Sequence, residues 1–394
     1  MPGGDAADSE QSAPQVLERL VEQAERAGAS DIHLHMREGS AAVAFRLDGV
    51  MTPTADLPAA IAERVFGRIK FLARLKTYQE SLPQDGRIDK AALKARTDIR
   101  VATYPTVTGE KIVLRLFDTT GIRPLAELGF PPEVRTELER FLRQTAGLLL
   151  LTGPAGSGKT TTIYACLREI ARQSGGARSL MTIEDPVEVS VRGVAQSQVH
   201  PTVGLDLAAG LRFLMRQDPE VIMVGEIRDR PTAEAALQAS LTGHLLLSTF
   251  HAGSAAETVG RLLDMGIEPY VLRSGILAIL HQRLLRRLCT CAEPSDKPEA
   301  KLGLDVQEVK LPRGCPECGG TGYRGRFLLV EMLMLSRTDL ARAVLTRSDT
   351  ATIERLAVEG GMVTRWQRAC RAVDDGRTSP AEVRRVLGFS GSVE

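Results

Sequence analysis

The chain has 394 residues, enough for two or three domains that each bury their own core. It carries 50 Lys and Arg against 49 Asp and Glu, so no bulk field draws nucleic acid or an anionic bilayer. The longest apolar runs, at Leu148–Leu151 and Ile276–Leu280, fall far short of the ~18 residues of a membrane span, and the polar start MPGGDAADSEQSAPQ lacks the apolar core of a secretion signal.

Residues 1–14 read as a disordered tail. From Val16 to Ala27, apolar residues at Val16, Leu17, Leu20, Val21, Ala24 and Ala27 predict an amphipathic helix ended by Gly28. Ile32–Met36 and Ala41–Leu47 read as strands, and Ile61, Val65, Ile69 and Leu72 mark a second helix. A hairpin is expected from Asp98–Tyr104 and Lys111–Phe117, so residues 15–118 form a small α+β domain. Arg100 and Arg115 fall out of phase with the apolar hairpin residues, which by itself describes a solvated face.

Residues 119–125 read as a linker. Residues 126–285 then alternate helical stretches with apolar runs at Leu148–Thr152, Leu180–Ile183, Val221–Val224 and Leu245–Thr249. Runs apolar on both faces predict a parallel sheet covered by helices, an α/β domain. The first of them opens into Gly153-Pro154-Ala155-Gly156-Ser157-Gly158-Lys159-Thr160-Thr161, a complete G-x-x-x-x-G-K-[ST] phosphate loop followed by helical spacing at Ile163, Leu167 and Ile170. Its backbone N–H groups can cradle phosphates, Lys159 can reach the β and γ phosphates of a nucleoside triphosphate, and Thr160 can ligate Mg²⁺.

Glu184 and Asp185 end one apolar run before Pro186, and Glu226 ends another, the Walker B pattern. At the C-terminal edge of such a sheet, Glu226 can polarise an attacking water or hold Mg²⁺ through one. Arg212 and Arg216, four apart, present one helical face that is either solvated or directed at a phosphate across a subunit boundary. His244 precedes and His251 follows the Leu245–Thr249 run, which places both as candidate γ-phosphate sensors.

Cys289-Thr290-Cys291 and, after 23 residues, Cys315-Pro316-Glu317-Cys318 supply four thiolates for a structural Zn²⁺ within residues 286–327. Cys166 and Cys370 read as packed apolar residues. Residues 328–394 read as a helical region.

Together these residues are specific enough to name a family. The chain resembles the type II secretion and type IV pilus assembly ATPases of the secretion superfamily from Ala29 to its end. The resemblance rests on ASDIHLH, FRLDGV, LPQDGRI, DIRVATYPT with GEKIVLRLFD, the phosphate loop, TIEDPVE, LRFLMRQDPEVIMVGEIRD, LTGHLLLSTFHAGSAAETVGRLLDMG, and QRLLRRLCTC followed by CPECGGTGYRGR. It implies a RecA-like P-loop NTPase domain preceded by a small α+β (PAS-like) domain, with a zinc-binding insertion and a helical C-terminal region. It also implies a homo-hexameric ATPase at the cytoplasmic face of the inner membrane, peripheral to it through partners and driving a membrane platform protein that feeds pilin-like subunits into a filament.

On this resemblance Glu226 is the catalytic glutamate and Glu184 a helper near Mg²⁺ and water. Arg100 and Arg115 reach the phosphates from the N-terminal domain, Arg212 and Arg216 complete a neighbouring site, and His244 and His251 couple hydrolysis to domain rotation. The family's first N-terminal domain is expected to be absent or supplied elsewhere. A pilus retraction motor or a nucleic-acid translocase of the same superfamily is the alternative. The cysteine pairs and the LPQDGR block favour the assembly or secretion branch, and near-neutral charge argues against a nucleic-acid partner.

Overall fold

Hydrophobic periodicity organises the first part of the chain into helices laid on one face of an antiparallel sheet. The computed structural model describes residues 12–116, 123–335 and 338–389, and divides into units spanning 1–121 and 122–394. The expected tail falls mostly, and the expected linker largely, outside the described residues.

In the first unit α1 (Ala13–Arg26) is followed by β1 (Asp31–Arg37), β2 (Ser40–Leu47), β3 (Val50–Pro58), α2 (Ala59–Leu72), β4 (Gln84–Ile88), the single turn α3 (Lys90–Leu93), β5 (Ile99–Thr106) and β6 (Gly109–Leu116). The strands lie in the order β3-β2-β1-β6-β5-β4, antiparallel throughout. One face packs Ile32, Leu34, Val43, Ile99, Ile112 and Leu114 against the apolar stripes of α1 and α2. Inside this core Lys70 of α2 donates to Glu110 Oε2 of β6 at 2.7 Å and to the Gln79 carbonyl at 3.0 Å. The pair is almost wholly buried.

The second unit begins with α4 (Pro132–Leu142), β7 (Gly147–Thr152), α5 (Lys159–Ser174), β8 (Leu180–Glu184) and β9 (Ala195–Gln198). It continues with α6 (Leu207–Leu214), β10 (Val221–Val224), α7 (Arg230–Leu241), β11 (Leu245–Phe250), α8 (Ala255–Asp264), α9 (Pro269–Gly275) and the long β12 (Ile276–Leu288). A short ribbon, β13 (Glu293–Pro294) with β14 (Lys310–Leu311), precedes β15 (Tyr323–Leu333). The chain then forms α10 (Thr338–Leu345), α11 (Thr350–Glu359), α12 (Arg365–Asp374) and α13 (Pro380–Leu387).

The sheet order is β15-β12-β7-β11-β10-β8-β9, parallel from β12 to β9 and antiparallel only where β15 joins β12. Both faces are covered. Leu148 and Leu150 of β7 pack into one core with α7 and α8, while Leu149 and Leu151 pack into the other with α4 and α5. This explains why the apolar runs lack alternation.

Residues 328–333 are a strand and not the helix expected there. Phe327, Leu328, Leu329 and Val330 are all buried because β15 lies between two apolar layers, and a short continuous apolar run has no period to distinguish strand from helix. Two buried carboxylates hold the C-terminal helices to the sheet. Glu331 of β15 accepts from the backbone N–H of Ala255 at 2.9 Å and from Arg365, and the fully buried Glu382 of α13 accepts from Arg286 and Arg385.

Glu110→Ala would leave the Lys70 ammonium buried without its carboxylate. It should lower the stability of the first unit by about 3 kcal/mol, read from the urea midpoint of its unfolding transition. A loss below about 0.5 kcal/mol would contradict the stabilising role of the pair.

Candidate nucleotide site and cysteine cluster

β7 ends at Thr152 and α5 starts at Lys159, so the loop between them places unsatisfied helix N–H groups at the C-terminal edge of a parallel sheet. Gly153 has φ of +139°, and a side chain there would run into the Gln282 carbonyl, so the close pass against β12 requires glycine. Gly158, at φ of +92°, turns the chain into the helix. The crest at Ala155 and Gly156 is exposed, whereas Lys159 is 8% exposed. Its ammonium donates to the carbonyls of Gly153 at 2.8 Å and Pro154 at 2.9 Å. Burial brings the Lys159 pKa down to about 8, against the pull of Glu226. Thr160 and Thr161 continue into the first turn of α5, and the buried Ser157 hydroxyl has no hydrogen-bond partner among the described residues.

The acidic residues meet the same edge because β8, β10 and β11 run parallel to β7. Glu226, two residues beyond β10, pairs with Arg228, and its other oxygen lies 3.7 Å from His251 Nε2. Burial and then the Lys159 charge hold His251 below the ordinary imidazole range, so it is neutral at pH 7. Arg228 also approaches Asp185 at 3.8 Å. Sequence reading singled out neither Arg228 nor its role in fixing Glu226.

Glu184 closes β8 as expected, but its carboxylate turns inward. It accepts from Tyr164 of α5, from Thr182 Oγ1 at 2.5 Å and from Gln196 Nε2 at 3.0 Å, and it is 3% exposed. That geometry fixes α5 to β8 and leaves the carboxylate committed to internal donors. Tyr164 and Gln196 lie 20 and 12 residues away, beyond any local motif.

Of the two histidines expected as γ-phosphate sensors, one lies at the phosphate-loop edge and the other does not. Leu245 pairs with Gly147 and Phe250 with Thr152, so His244 stands at the N-terminal edge of the sheet and His251 at the phosphate-loop edge. A six-residue strand separates them by roughly 20 Å. His244 instead lies 3.1 Å, through Nδ1, from the carbonyl of Ala239.

Arg212 lies on α6, and Arg216 lies just past its end, where the helical face no longer continues. Both are exposed and have no acidic partner among the described residues. In the first unit Arg100 stands opposite Arg115 on one side and Arg87 on the other, giving three arginines in one cross-strand row. Arg115 pairs with the buried Asp31 at 2.9 Å and Arg87 with Asp98 at 2.7 Å, while Arg100 has no acidic partner among the described residues. Like charges placed directly opposite repel. Arg87 carries no sequence signal of its own beyond the LPQDGRI block; its place in the row comes from the pairing of β4 with β5.

Residues 6–385 match the family model described as Type II/IV secretion system protein. The chain is 42% identical over 393 residues to Type II secretion system protein E of Pseudomonas aeruginosa, covering 97% of this chain and 77% of that one. The chain belongs to the type II/IV secretion system protein family. It is also 36% identical over 384 residues to the type IV pilus assembly ATPase PilB of Thermus thermophilus, covering 95% of this chain and 43% of that one. The ATPase DotB of Legionella pneumophila superposes with a TM-score of 0.69 at 21% identity over 97% of both chains, and speaks to fold alone. This member is a secretion-superfamily ATPase, with an intact phosphate loop after β7 and a carboxylate, Glu226, after β10.

The second cluster lies beyond β12. The sulfurs of Cys289, Cys291, Cys315 and Cys318 all lie within 4.8 Å of one another. Cys289 and Cys315 are 3.8 Å apart, Cys315 and Cys318 3.7 Å, and Cys291 and Cys318 4.0 Å. A tetrahedral zinc with bonds of about 2.3 Å has sulfur-to-sulfur edges of about 3.8 Å, so the four residues fit that ion. The N–H groups of Cys315 at 3.1 Å and Gly322 at 3.2 Å donate to the Cys318 sulfur, which suits a thiolate.

Metal analysis of the purified chain should find about one zinc per chain, falling to near zero in Cys291→Ser together with Cys318→Ser. Zinc well below one equivalent in the unsubstituted protein would contradict a metal role.

Proposed function

We propose that this chain is the ATP-hydrolysing subunit of a type II secretion or type IV pilus assembly machine, working as a homo-hexamer at the cytoplasmic face of the inner membrane. The observation that carries the reading is the joint placement of Lys159, Glu226 and His251 at one edge of a parallel sheet, beside a helix N-terminus. Among the described residues no helix is long and apolar enough to cross a membrane, and in this reading the chain acts on a membrane platform protein.

In this reading the phosphate-loop N–H groups and Lys159 bind the β and γ phosphates of ATP. Mg²⁺, held at Thr160, supplies charge neutralisation on those phosphates. Glu226, positioned by Arg228, orients the attacking water and takes its proton, and His251 offers a ring nitrogen beside it. Glu184 acts through α5, holding the phosphate-loop helix by way of Tyr164.

Arg100 and Arg115 supply cationic charge from the first unit. An arginine row with one unpaired member is costly in isolation and favourable against a polyphosphate. Arg212 and Arg216, exposed and without an acidic partner among the described residues, serve a neighbouring subunit's site. His244, at the far edge, makes no phosphate contact in its own subunit, and a coupling role would act through α7 and β11. The four cysteines hold a structural Zn²⁺ with no open position for catalysis.

ATPase activity per subunit should rise steeply with protein concentration. Arg100→Ala and Arg212→Ala should each lower kcat by about 10³. Mixing Arg212→Ala with Glu226→Gln should restore part of the activity, because some sites then draw each residue from an intact subunit. Activity independent of concentration with no recovery on mixing would contradict the shared site. Stimulation by DNA in place of a platform-protein fragment would favour a translocase.

A further inference from the structure

β12 does more than close the sheet. It runs parallel to β7 with His281 opposite Thr152, so the residues after His281 continue past the strand end and flank the phosphate loop. The Gln282 carbonyl lies against Gly153, and the Leu284 side chain lies 3.8 Å from where a Gly158 side chain would begin. Gln282 Nε2 donates to Thr162 Oγ1 of α5 at 2.9 Å, and His281 Nδ1 lies 3.2 Å from Thr152 Oγ1.

Between these contacts stands Arg283. It is half-buried, it has no ion pair or hydrogen bond among the described residues, and its Nε is sealed from solvent without a partner. Three other buried polar atoms without partners lie on or beside the same loop: Ser157 Oγ, His281 Nε2 and Gln282 Oε1. The Arg283 charge is close enough to disfavour protonation of both Lys159 and His281. Lys159 and Arg283 both sit where burial disfavours charge; Glu226 opposes the Arg283 repulsion at Lys159, while at Arg283 the repulsion of Arg365 is opposed by Glu331 and Glu257, an arrangement that folding alone does not favour. An anion between them would reverse the sign of that interaction.

We propose that Arg283 is a further phosphate-binding residue of the nucleotide site, meeting the polyphosphate of ATP from β12 on the side opposite β11. The inference rests on the ATPase reading and adds to it a cationic contact contributed by the chain's own sheet, separate from Arg100, Arg115, Arg212 and Arg216. Its position one residue after Gln282, which bonds α5, means that phosphate contact at Arg283 is also felt by the strand carrying the C-terminal helices through Arg286 and Glu382.

The test measures MgATP affinity by calorimetry and thermal melting without nucleotide, in the unsubstituted chain, Arg283→Gln and Arg283→Lys. Arg283→Gln should weaken MgATP binding by about tenfold or more, while the nucleotide-free protein melts at the same temperature or higher, because an unpaired cation has been removed from a desolvated place. Arg283→Lys should recover part of the affinity. A lowered melting temperature with unchanged affinity would overturn the proposal and make Arg283 a packing residue. Failure of the unsubstituted chain to bind MgATP would overturn the ATPase reading itself, and this proposal with it, and is told apart by needing no variant.

Discussion

A cation buried at the start of a helix sets the terms for the second unit. Lys159 sits where the α5 dipole is already positive, is shielded from water, and is satisfied by two loop carbonyls. Such a group is costly to keep, and burial draws its pKa down to about 8. The surroundings read as an answer to that cost. Glu226 lies near enough to pull in the opposite direction, Arg228 pairs with Glu226, and the loop glycines let backbone N–H groups converge where an anion would complete the balance.

The sheet makes this arrangement rigid by burying both faces of every central strand. Alternate leucines of β7 enter opposite cores, so the strand that presents the phosphate loop cannot shift without disturbing both. β12 and β15 extend the same sheet into the cysteine cluster and the C-terminal helices, where Glu331 and Glu382 gather donors from separate elements. Leu288 and Cys289 hydrogen-bond to Arg377 and Gly322, so the metal-binding knuckles grow directly out of a sheet strand. A change at the loop is therefore mechanically continuous with the distant end of β12.

Legibility in the sequence followed how local each signal was. The phosphate loop, the Glu226 strand end and the cysteine pairs are short patterns whose chemistry depends on neighbours in sequence, and each was readable. β3 and β4 were not, because they are edge strands with Pro53, Pro58 or Gly86 and little alternation to mark a buried face. Glu184 was readable as a strand end, but its inward turn depends on Tyr164 and Gln196, which only the fold brings near. The two histidines required the register of β11 against β7 before their separation became visible. Arg283 sits in a run of apolar and basic residues with no motif, and only the absence of a partner in three dimensions singles it out.

The central claim is that binding and hydrolysis use different groups at one sheet edge, with Lys159 holding the phosphates and Glu226 activating water. Single-turnover hydrolysis of MgATP by Glu226→Gln, with affinity measured in the same preparation, tests it most directly. The account predicts affinity within about threefold of the unsubstituted chain and a hydrolysis rate lower by 10² or more, on the order of the loss when a general base is removed. Hydrolysis at the unsubstituted rate, or loss of binding in place of turnover, would contradict it.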